Sequence, residues 1–519
     1  MNGVQLLLII FGGITVSAVA HRRGAQPGLV VVILAAAASF IPGVPRLELD
    51  SELILAVVVP PLLYSAARGA SMSSFSQNLG PILTLGVTLV VFTTGVTGLV
   101  ASLLLPAIGL QAALVLGAVL APPDTITTVT HGKELGLPRR ATAILTGESL
   151  VNDATALTLF GLAVAATGAG HTLFDNGFVL FLYNALVGVF LGGVLAVVTL
   201  WLRKRLHDPV LETAVSLLLP FTAFLLAEQV HASGILAVVV AAFSVSINTA
   251  LDKRHQYPGA YRARLQEEAV WPVVDFLLET FVFAYIGLQL RFVVQSLATS
   301  DSLLRTVVAA AVILVTVIVF RLGAVRASFA WWGLRRRQRE RRVATDPRAR
   351  AKWERRLQWR ARRGRQRPVL GEPTPKEAII VGWTGMRGIL TLAAAAAVPE
   401  HLADGTPFPG RDEIQAIALL VTFGTLLIQG TTIPMLVRRL RIDTAAESAR
   451  EAELHARGVA IAAGALPGAA PTGDADFDAQ RDALADAVFA EELDDDTARR
   501  LVHDIDLRQA AHGTQPPPL

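Results

Sequence analysis

The sequence predicts an all-α, polytopic membrane protein. Hydrophobic residues occupy 53% of the 519 positions and charged residues only 17%, whereas a soluble globular chain carries about 25% charged residues. Apolar stretches recur along most of the chain, and many of them reach the length of about 20 residues that a helix needs to cross the hydrocarbon core. Short polar joints separate these stretches, which is typical of consecutive membrane-spanning helices.

Turn and charge signals divide the apolar stretches into thirteen predicted spans. They are 3–20, 27–43, 51–66, 79–105, 110–130, 141–167, 178–202, 209–230, 233–250, 269–290, 302–334, 375–398 and 413–437. Positive residues follow the first span rather than precede it, which is the reverse of a secretory signal peptide. We therefore expect this span to remain in the protein as a transmembrane helix.

Lys and Arg collect in alternate loops, at 22–23, 68, 133–140, 203–205, 253–264, 335–367 and 438–441. Cytoplasmic loops of membrane proteins carry an excess of these residues. The pattern predicts an N-terminus outside the cell, a C-terminus in the cytoplasm and a location in the plasma membrane.

Two segments are expected outside the membrane. Residues 335–374 form an Arg-rich loop at the cytoplasmic membrane surface. The alternative is that this loop senses anionic lipid. Residues 441–519 form a cytoplasmic C-terminal tail with helices at about 443–457 and 476–503, so that 1–440 is the transmembrane domain.

Several classes of function are disfavoured. The small excess of 46 Lys and Arg over 42 Asp and Glu does not indicate nucleic acid, because the arginines adjoin apolar spans. Cysteine is absent, which excludes disulfides and thiolate metal sites. We find no phosphate-binding loop, metal-ligand cluster or nucleophile–base pair, so we expect neither an enzyme nor a cofactor.

Asp153 is the most informative residue of the predicted spans, because it lies halfway along 141–167. Ionisable residues inside a membrane span are costly to insert and functional by default. Ser149 and Asn152 continue a polar stripe on the same helix, and oxygen ligands of this kind suit a hard cation. A buried carboxylate also binds protons more readily, so cation and proton would compete for one group. The alternative is a structural Asp paired with an Arg.

Asp124 follows two consecutive prolines, Pro122 and Pro123. Two prolines remove helix hydrogen bonds and push the residues before them out of the helical region. At membrane depth a broken backbone is tolerated where it is buried in protein or lines a wet cavity, and such breaks mark the ion sites of inverted-repeat transporters. The alternative is a simple proline kink.

Arg387 lies within an apolar, Ala-rich span among three glycines, Gly382, Gly385 and Gly388. A buried Arg requires a carboxylate, and we predict a structural ion pair with Glu148. Glu279 and Arg321 are further ionisable residues inside spans and are expected to support the site. Asp275 is expected to reach the membrane interface from a helix end, and Glu228 is a further ionisable candidate without an assigned role.

Five motifs together resemble the cation:proton antiporter-1 family, the NhaP-type sodium/proton antiporters and their eukaryotic relatives. The resemblance covers about residues 1–440. The motifs are GESLVND at 147–153, PPLLY at 60–64, AEQVHASGILAV at 227–238, GLQL at 287–290 and WTGMRG at 383–388.

The resemblance implies a secondary antiporter that exchanges a monovalent cation, first of all Na⁺, for H⁺. It implies an inverted-repeat fold with about 13 transmembrane helices and two crossed broken helices, assembled as a homodimer with an elevator-like core. Asp153 would bind cation and proton alternately, and Asp124, Asn152, Ser149 and Thr125 would complete the site. Asn152 before the Asp implies electroneutral one-for-one exchange.

The chain departs from the family at the first break. The family usually has Thr-Asp-Pro there, whereas this chain has Pro123-Asp124-Thr125. One side-chain ligand is thereby lost, which leaves the choice between Na⁺, Li⁺ and K⁺ open. The remaining alternatives are a K⁺/H⁺ antiporter of the same fold, a cation channel or sensor that uses the same site, and a symporter of organic acids.

Overall fold

Helices form the secondary structure of the protein, which we describe from a computed structural model. The described residues are 3–23, 27–42, 56–125, 137–168, 176–252, 259–299, 303–348, 350–351, 354–355, 374–442, 445–466, 468, 471 and 473–512. Within these ranges no β-strand occurs, and extended backbone pairs only at two isolated bridges. The prediction of an all-α membrane protein is confirmed.

The helices before the tail follow the predicted spans closely. In chain order they are Gly3–Arg22, Pro27–Ser39, Val59–Gly69, Met72–Gln77, Leu79–Leu104, Gly109–Leu120, Arg139–Ala166, Gly177–Leu206, Pro209–Gln229, Gly234–Leu251, Ala260–Thr299, Leu303–Thr345, Pro375–Trp383, Ile389–Ala396 and Arg411–Leu440. Among the described residues, eight helices are long and apolar enough to cross a membrane, and three shorter apolar helices accompany them. The exact number of thirteen spans stays a prediction.

The first part of the predicted Arg-rich cytoplasmic segment is helical. The helix predicted over 302–334 continues to Thr345, because the Arg, Gln and Glu residues after 334 favour a helix and the first breaker is Pro347. The residue before a proline disfavours helical geometry, which explains the end at Thr345. Residues 356–373 of that loop lie outside the described residues.

The helices form two groups, each of which packs chiefly within itself. The carboxylate bundle contains Leu79–Leu104, Gly109–Leu120, Arg139–Ala166, Leu303–Thr345, Pro375–Trp383, Ile389–Ala396 and Arg411–Leu440. The flanking bundle contains Gly3–Arg22, Pro27–Ser39, Val59–Gly69, Gly177–Leu206, Pro209–Gln229, Gly234–Leu251 and Ala260–Thr299.

Small residues bring neighbouring helices into close contact within each bundle. A Cβ atom at Gly117 would lie 2.3 Å from the Thr94 carbonyl oxygen, and one at Gly192 would lie 2.4 Å from that of Ala237. Close backbone approach at glycine is how membrane helices gain packing energy without a hydrophobic driving force. Each bundle is therefore a tightly packed unit.

The C-terminal tail contains three helices, Ala445–Gly464, Asp474–Phe489 and Asp495–His512. The single helix predicted over 476–503 is wrong, because a turn with Glu491 at φ 57° divides it. The tail helices share an apolar cluster with Ala250 and Leu251, so that they pack on the end of the Gly234–Leu251 helix.

Candidate functional site

The carboxylate helix, Arg139–Ala166, places Asp153 near its middle. Asp153 is only 8% exposed. Ser149 lies four residues earlier and therefore on the same helix face, where it is also buried. The polar stripe predicted from the sequence thus exists as a buried polar face.

The first break follows the Gly109–Leu120 helix, after which residues 121–125 belong to no helix. Ala121 still has helical dihedral angles, φ -69° and ψ -44°, so the prediction that the prolines push it out of the helical region is wrong. The backbone N–H of Asp124 donates a hydrogen bond of 2.6 Å to the carbonyl oxygen of Met386. Both prolines that precede Asp124 lack an N–H group, so the chain cannot continue the helix through them. Residues 126–136 lie outside the described residues.

The second break separates Pro375–Trp383 from Ile389–Ala396. Asp124 and Met386 form an isolated antiparallel bridge, so the two breaks meet backbone to backbone. A Cβ atom on Gly388 would lie 1.8 Å from Oδ2 of Asp124. Glycine at 388 is therefore required for Asp124 to occupy its position.

A small cavity of about 30 Å³ lies where the two breaks and the carboxylate helix meet. Its polar walls are Asp124, Ser149, Asp153 and Thr391. The residues that close it from the flanking bundle are Val59, Leu62 and Leu63. The cavity therefore lies between the two bundles, and its volume suits an occupant about the size of a water molecule or a bare cation.

Asn152 and Thr125 hold the first break rather than line the cavity. The Asn152 side chain donates from Nδ2 to the carbonyl oxygen of Pro123 over 2.8 Å. The Thr125 hydroxyl donates to the carbonyl oxygen of Leu145 over 3.0 Å. The Pro123 carbonyl lies outside any helix, and the bond from Asn152 satisfies it in a low dielectric. The bond from Thr125 ties the break to the carboxylate helix.

Glu148 pairs with Arg321, so the prediction that it pairs with Arg387 is wrong. The Glu148 carboxylate accepts two hydrogen bonds from Arg321, of 2.6 and 3.1 Å, and both residues are at least 98% buried. Arg321 donates a third bond to the carbonyl oxygen of Val381. Two parallel bonds match the fork geometry of arginine to a carboxylate, so Arg321, expected only as support, is the partner.

Arg387 binds backbone carbonyls instead. Its Nε donates to Leu120 over 2.9 Å, and its Nη1 donates to Gly385 over 2.5 Å. Leu120 ends the first half-helix and Gly385 lies in the second break. A cation at the carbonyl end of a helix is stabilised by the helix dipole, and Arg387 thereby links both breaks.

Glu279 and Asp275 lie one helical turn apart on the Ala260–Thr299 helix. Glu279 is close enough to Asp124 for their negative charges to interact. Asp275 is half-buried and accepts a hydrogen bond from the hydroxyl of Ser65, and its place at the membrane interface stays a prediction. Glu228 is exposed near the end of the Pro209–Gln229 helix.

Sequence reasoning missed Thr391 and the steric role of Gly388. Thr391 is fully buried, and its hydroxyl has no hydrogen-bond partner among the described residues. The sequence signal for Thr391 was a hydroxyl in an otherwise apolar helix, four residues after Arg387. The described residues contain no group of three or more His, Cys, Asp or Glu side chains that could hold a metal ion.

Comparison with known proteins identifies relatives over most of the chain. The family model for the transmembrane sodium/hydrogen exchanger matches residues 6–439. An uncharacterized Na⁺/H⁺ exchanger of Mycobacterium bovis is 31% identical over 481 residues, which cover 90% of this chain and 80% of that protein. The sodium, potassium, lithium and rubidium/H⁺ antiporter of Bacillus subtilis is 27% identical, over 77% of this chain and 56% of that protein.

A solved structure shares the fold. The sodium proton antiporter MjNhaP1 of Methanocaldococcus jannaschii superposes with a TM-score of 0.59 at 14% sequence identity. The match covers 84% of this chain and 97% of that one. The arrangement of helices is thereby shown to be that of a known antiporter fold.

Proposed function

The chain belongs to the sodium/hydrogen exchanger family, a family of multi-pass cation/proton antiporters rather than enzymes, and we propose that it exchanges Na⁺ for H⁺ by competition at Asp153. The observation that carries the proposal is the convergence of Asp153, Asp124 and Ser149 on one cavity between the two bundles. Two carboxylates and a hydroxyl supply the oxygen ligands that a hard cation needs.

The charge of the Asp153 carboxylate explains why a proton would compete with the cation. Among the residues that the structure describes, no group donates a hydrogen bond to the Asp153 carboxylate, and Asp124 adds a second negative charge nearby. A buried carboxylate is costly when ionised and uncompensated. Binding of either a cation or a proton removes that cost, and the two cannot occupy the same oxygen atoms together.

Exchange across the membrane requires the cavity to open to each side in turn. The cavity lies at the boundary between the carboxylate bundle and the flanking bundle, and a movement of one bundle against the other would change its exposure. Each bundle is closely packed within itself, which favours movement as a rigid body.

The stoichiometry we propose is one cation for one proton. Asn152 is neutral, and its Nδ2 donates to the Pro123 carbonyl. Of the adjacent residues Asn152 and Asp153, only Asp153 can change its charge. One bound Na⁺ therefore replaces one H⁺ without net charge movement.

K⁺ is the alternative substrate. Asp124 is preceded by Pro123, and Thr125 donates its hydrogen to Leu145 rather than lining the cavity. The site therefore offers few side-chain ligands beyond its two carboxylates and the hydroxyls of Ser149 and Thr391. Selectivity between hard cations depends on cavity size, ligand number and ligand flexibility, and the Bacillus subtilis relative is named for four alkali cations.

Substitution of Asp153 by Asn tests the site. Asn removes the negative charge and keeps the shape, so cation-driven proton movement in proteoliposomes should fall below detection for Na⁺, Li⁺ and K⁺. Asp504→Asn is the matched control, because Asp504 is exposed on the tail and should retain full exchange. Exchange at the normal rate by Asp153→Asn would refute the assignment.

The stoichiometry is tested by clamping the membrane potential in the same vesicles. Electroneutral exchange should give the same rate at zero and at an imposed potential of either sign. A rate that follows the potential would contradict one-for-one exchange while leaving Asp153 as the site.

We further propose a homodimer in the plasma membrane, with 1–440 as the transmembrane domain, the tail 441–519 in the cytoplasm and the N-terminus outside. The described arginines after Leu334, among them Arg335, Arg341 and Arg342, are largely exposed along the helix that ends at Thr345. They would contact anionic lipid headgroups on the cytoplasmic side.

A further inference from the structure

The tail is anchored on the flanking bundle by buried contacts. Its apolar cluster includes Phe477 and Leu501 together with Ala250 and Leu251 of the Gly234–Leu251 helix. Arg264, on the Ala260–Thr299 helix, donates two bonds of 2.7 Å to Asp506 of the tail.

Asp495 binds the segment that joins the flanking bundle to the carboxylate bundle. Its carboxylate accepts bonds from the Met72 backbone N–H over 2.8 Å and from the Ser71 hydroxyl over 2.7 Å. These groups lie at the start of the Met72–Gln77 helix, where free N–H groups favour a negative charge. The tail is therefore fixed both to the flanking bundle and to the connection that leaves it.

A third set of contacts reaches the carboxylate helix itself. The backbone N–H of Arg139, at the start of that helix, donates to Oε1 of Glu447 over 2.7 Å. The Arg139 guanidinium lies 2.5 Å from Asp496 and 3.5 Å from Glu451. Arg500 of the tail pairs with both of these carboxylates.

The anchor and the third set differ in their exposure to solvent. The side chains of Arg264 and Asp506 in the anchor are 12% and 2% exposed, whereas those of Arg139, Glu451 and Asp496 are 33–37% exposed. Dissolved salt screens exposed charges over a distance of about 8 Å at physiological ionic strength and about 3 Å at 1 M, but affects buried pairs much less. Salt therefore weakens the contacts to the carboxylate helix while the anchor stays in place.

We propose that residues 445–512 form an ionic latch that restrains exchange at low ionic strength. The tail, fixed to the flanking bundle, holds the start of the carboxylate helix through Arg139 and so opposes movement of the carboxylate bundle. Rising salt screens the latch and frees the helix that carries Asp153. This inference rests on the proposed exchange and adds its regulation by the salt concentration.

The latch is tested by exchange rates in proteoliposomes at a fixed Na⁺ gradient. Choline chloride, which the small cavity excludes, raises the ionic strength from about 20 mM to about 500 mM. The wild-type rate should rise about threefold over this range, while Arg139→Gln should exchange at the higher rate throughout. Arg508→Gln, which changes an exposed arginine of the tail, should behave as the wild type.

Equal rates and equal salt dependence in Arg139→Gln and the wild type would overturn the latch and leave the exchange intact. An absence of exchange in the wild type would instead refute the proposed function. In that case amide hydrogen exchange of the purified protein still decides the latch. The Arg139 amide should exchange about tenfold faster in Glu447→Ala than in the wild type at low salt, and unchanged protection would overturn the latch.

Discussion

Asp153 and Glu148 lie five residues apart on the same helix, and both are buried, yet their surroundings are opposite. Glu148 is held by two hydrogen bonds from Arg321, whereas Asp153 faces a cavity together with Asp124. A buried charge with a well-placed partner is fixed in one state, and a buried charge without one gains from any ligand that neutralises it. The partner, rather than the depth of burial, separates the structural carboxylate from the functional one.

The largest effect on stability is expected from breaking the pair. Glu148→Gln leaves the Arg321 charge buried without its carboxylate, which should lower the free energy of unfolding by about 3–5 kcal/mol. Asp153→Asn should leave it unchanged or raise it, because that substitution removes an uncompensated charge. Thermal unfolding in detergent measures both.

The double variant Glu148→Gln with Arg321→Gln sharpens this comparison. Removal of both charges should recover part of the stability that Glu148→Gln loses, since no unpaired ion remains. If the double variant were less stable than either single variant, Glu148 and Arg321 would act independently.

Gly388→Ala should reduce exchange strongly with less effect on folding. The new Cβ would overlap Oδ2 of Asp124, so the carboxylate must shift by about 1 Å, and displacement of this size costs about 100-fold in rate. The matched control is Gly161→Ala, because a Cβ there meets nothing within 4 Å. Unchanged transport kinetics in Gly388→Ala would show that the position of Asp124 is irrelevant to exchange.

Arg387→Met should have an intermediate effect on stability. Its bonds to the carbonyls of Leu120 and Gly385 would be lost, which should lower the free energy of unfolding by about 2 kcal/mol. Since Arg387 binds carbonyls and Glu148 pairs with Arg321, the loss should add to that of Glu148→Gln. Thermal unfolding of the double variant checks this, and a loss equal to that of one single variant would indicate a shared network.

Asn152→Ala is expected to have the smallest effect. It removes the bond from Nδ2 to the Pro123 carbonyl, which should cost about 1 kcal/mol of stability. Exchange should slow but remain independent of the membrane potential, because Asn152 holds the break rather than carrying charge. Loss of all exchange would make Asn152 a ligand instead.

Much of the fold could be predicted from the sequence, because hydrocarbon permits few alternatives to an apolar helix of sufficient length. The helices after Ala166 begin and end close to the predicted spans, with two exceptions: Ala260–Thr299 exceeds the predicted 269–290 by nine residues at each end, and Arg-rich sequence extends another helix to Thr345. Both breaks were predictable as well, since Pro122 and Pro123 cannot continue a helix and glycines surround Arg387.

The sequence by itself therefore determined most of the helical segments, the break at Pro122 and Pro123, and the burial of Glu148, Asp153 and Arg387. Only the tertiary structure decided which charges meet. Glu148 had two candidate arginines, Arg321 and Arg387, and their distance along the chain does not reveal which guanidinium can reach both carboxylate oxygens. The same holds for the tail and Arg139, whose contact depends on packing between segments that are 308 positions apart. Local sequence sets helix formation through the backbone, whereas ion pairing depends on the directions of side chains that only the packed bundles fix.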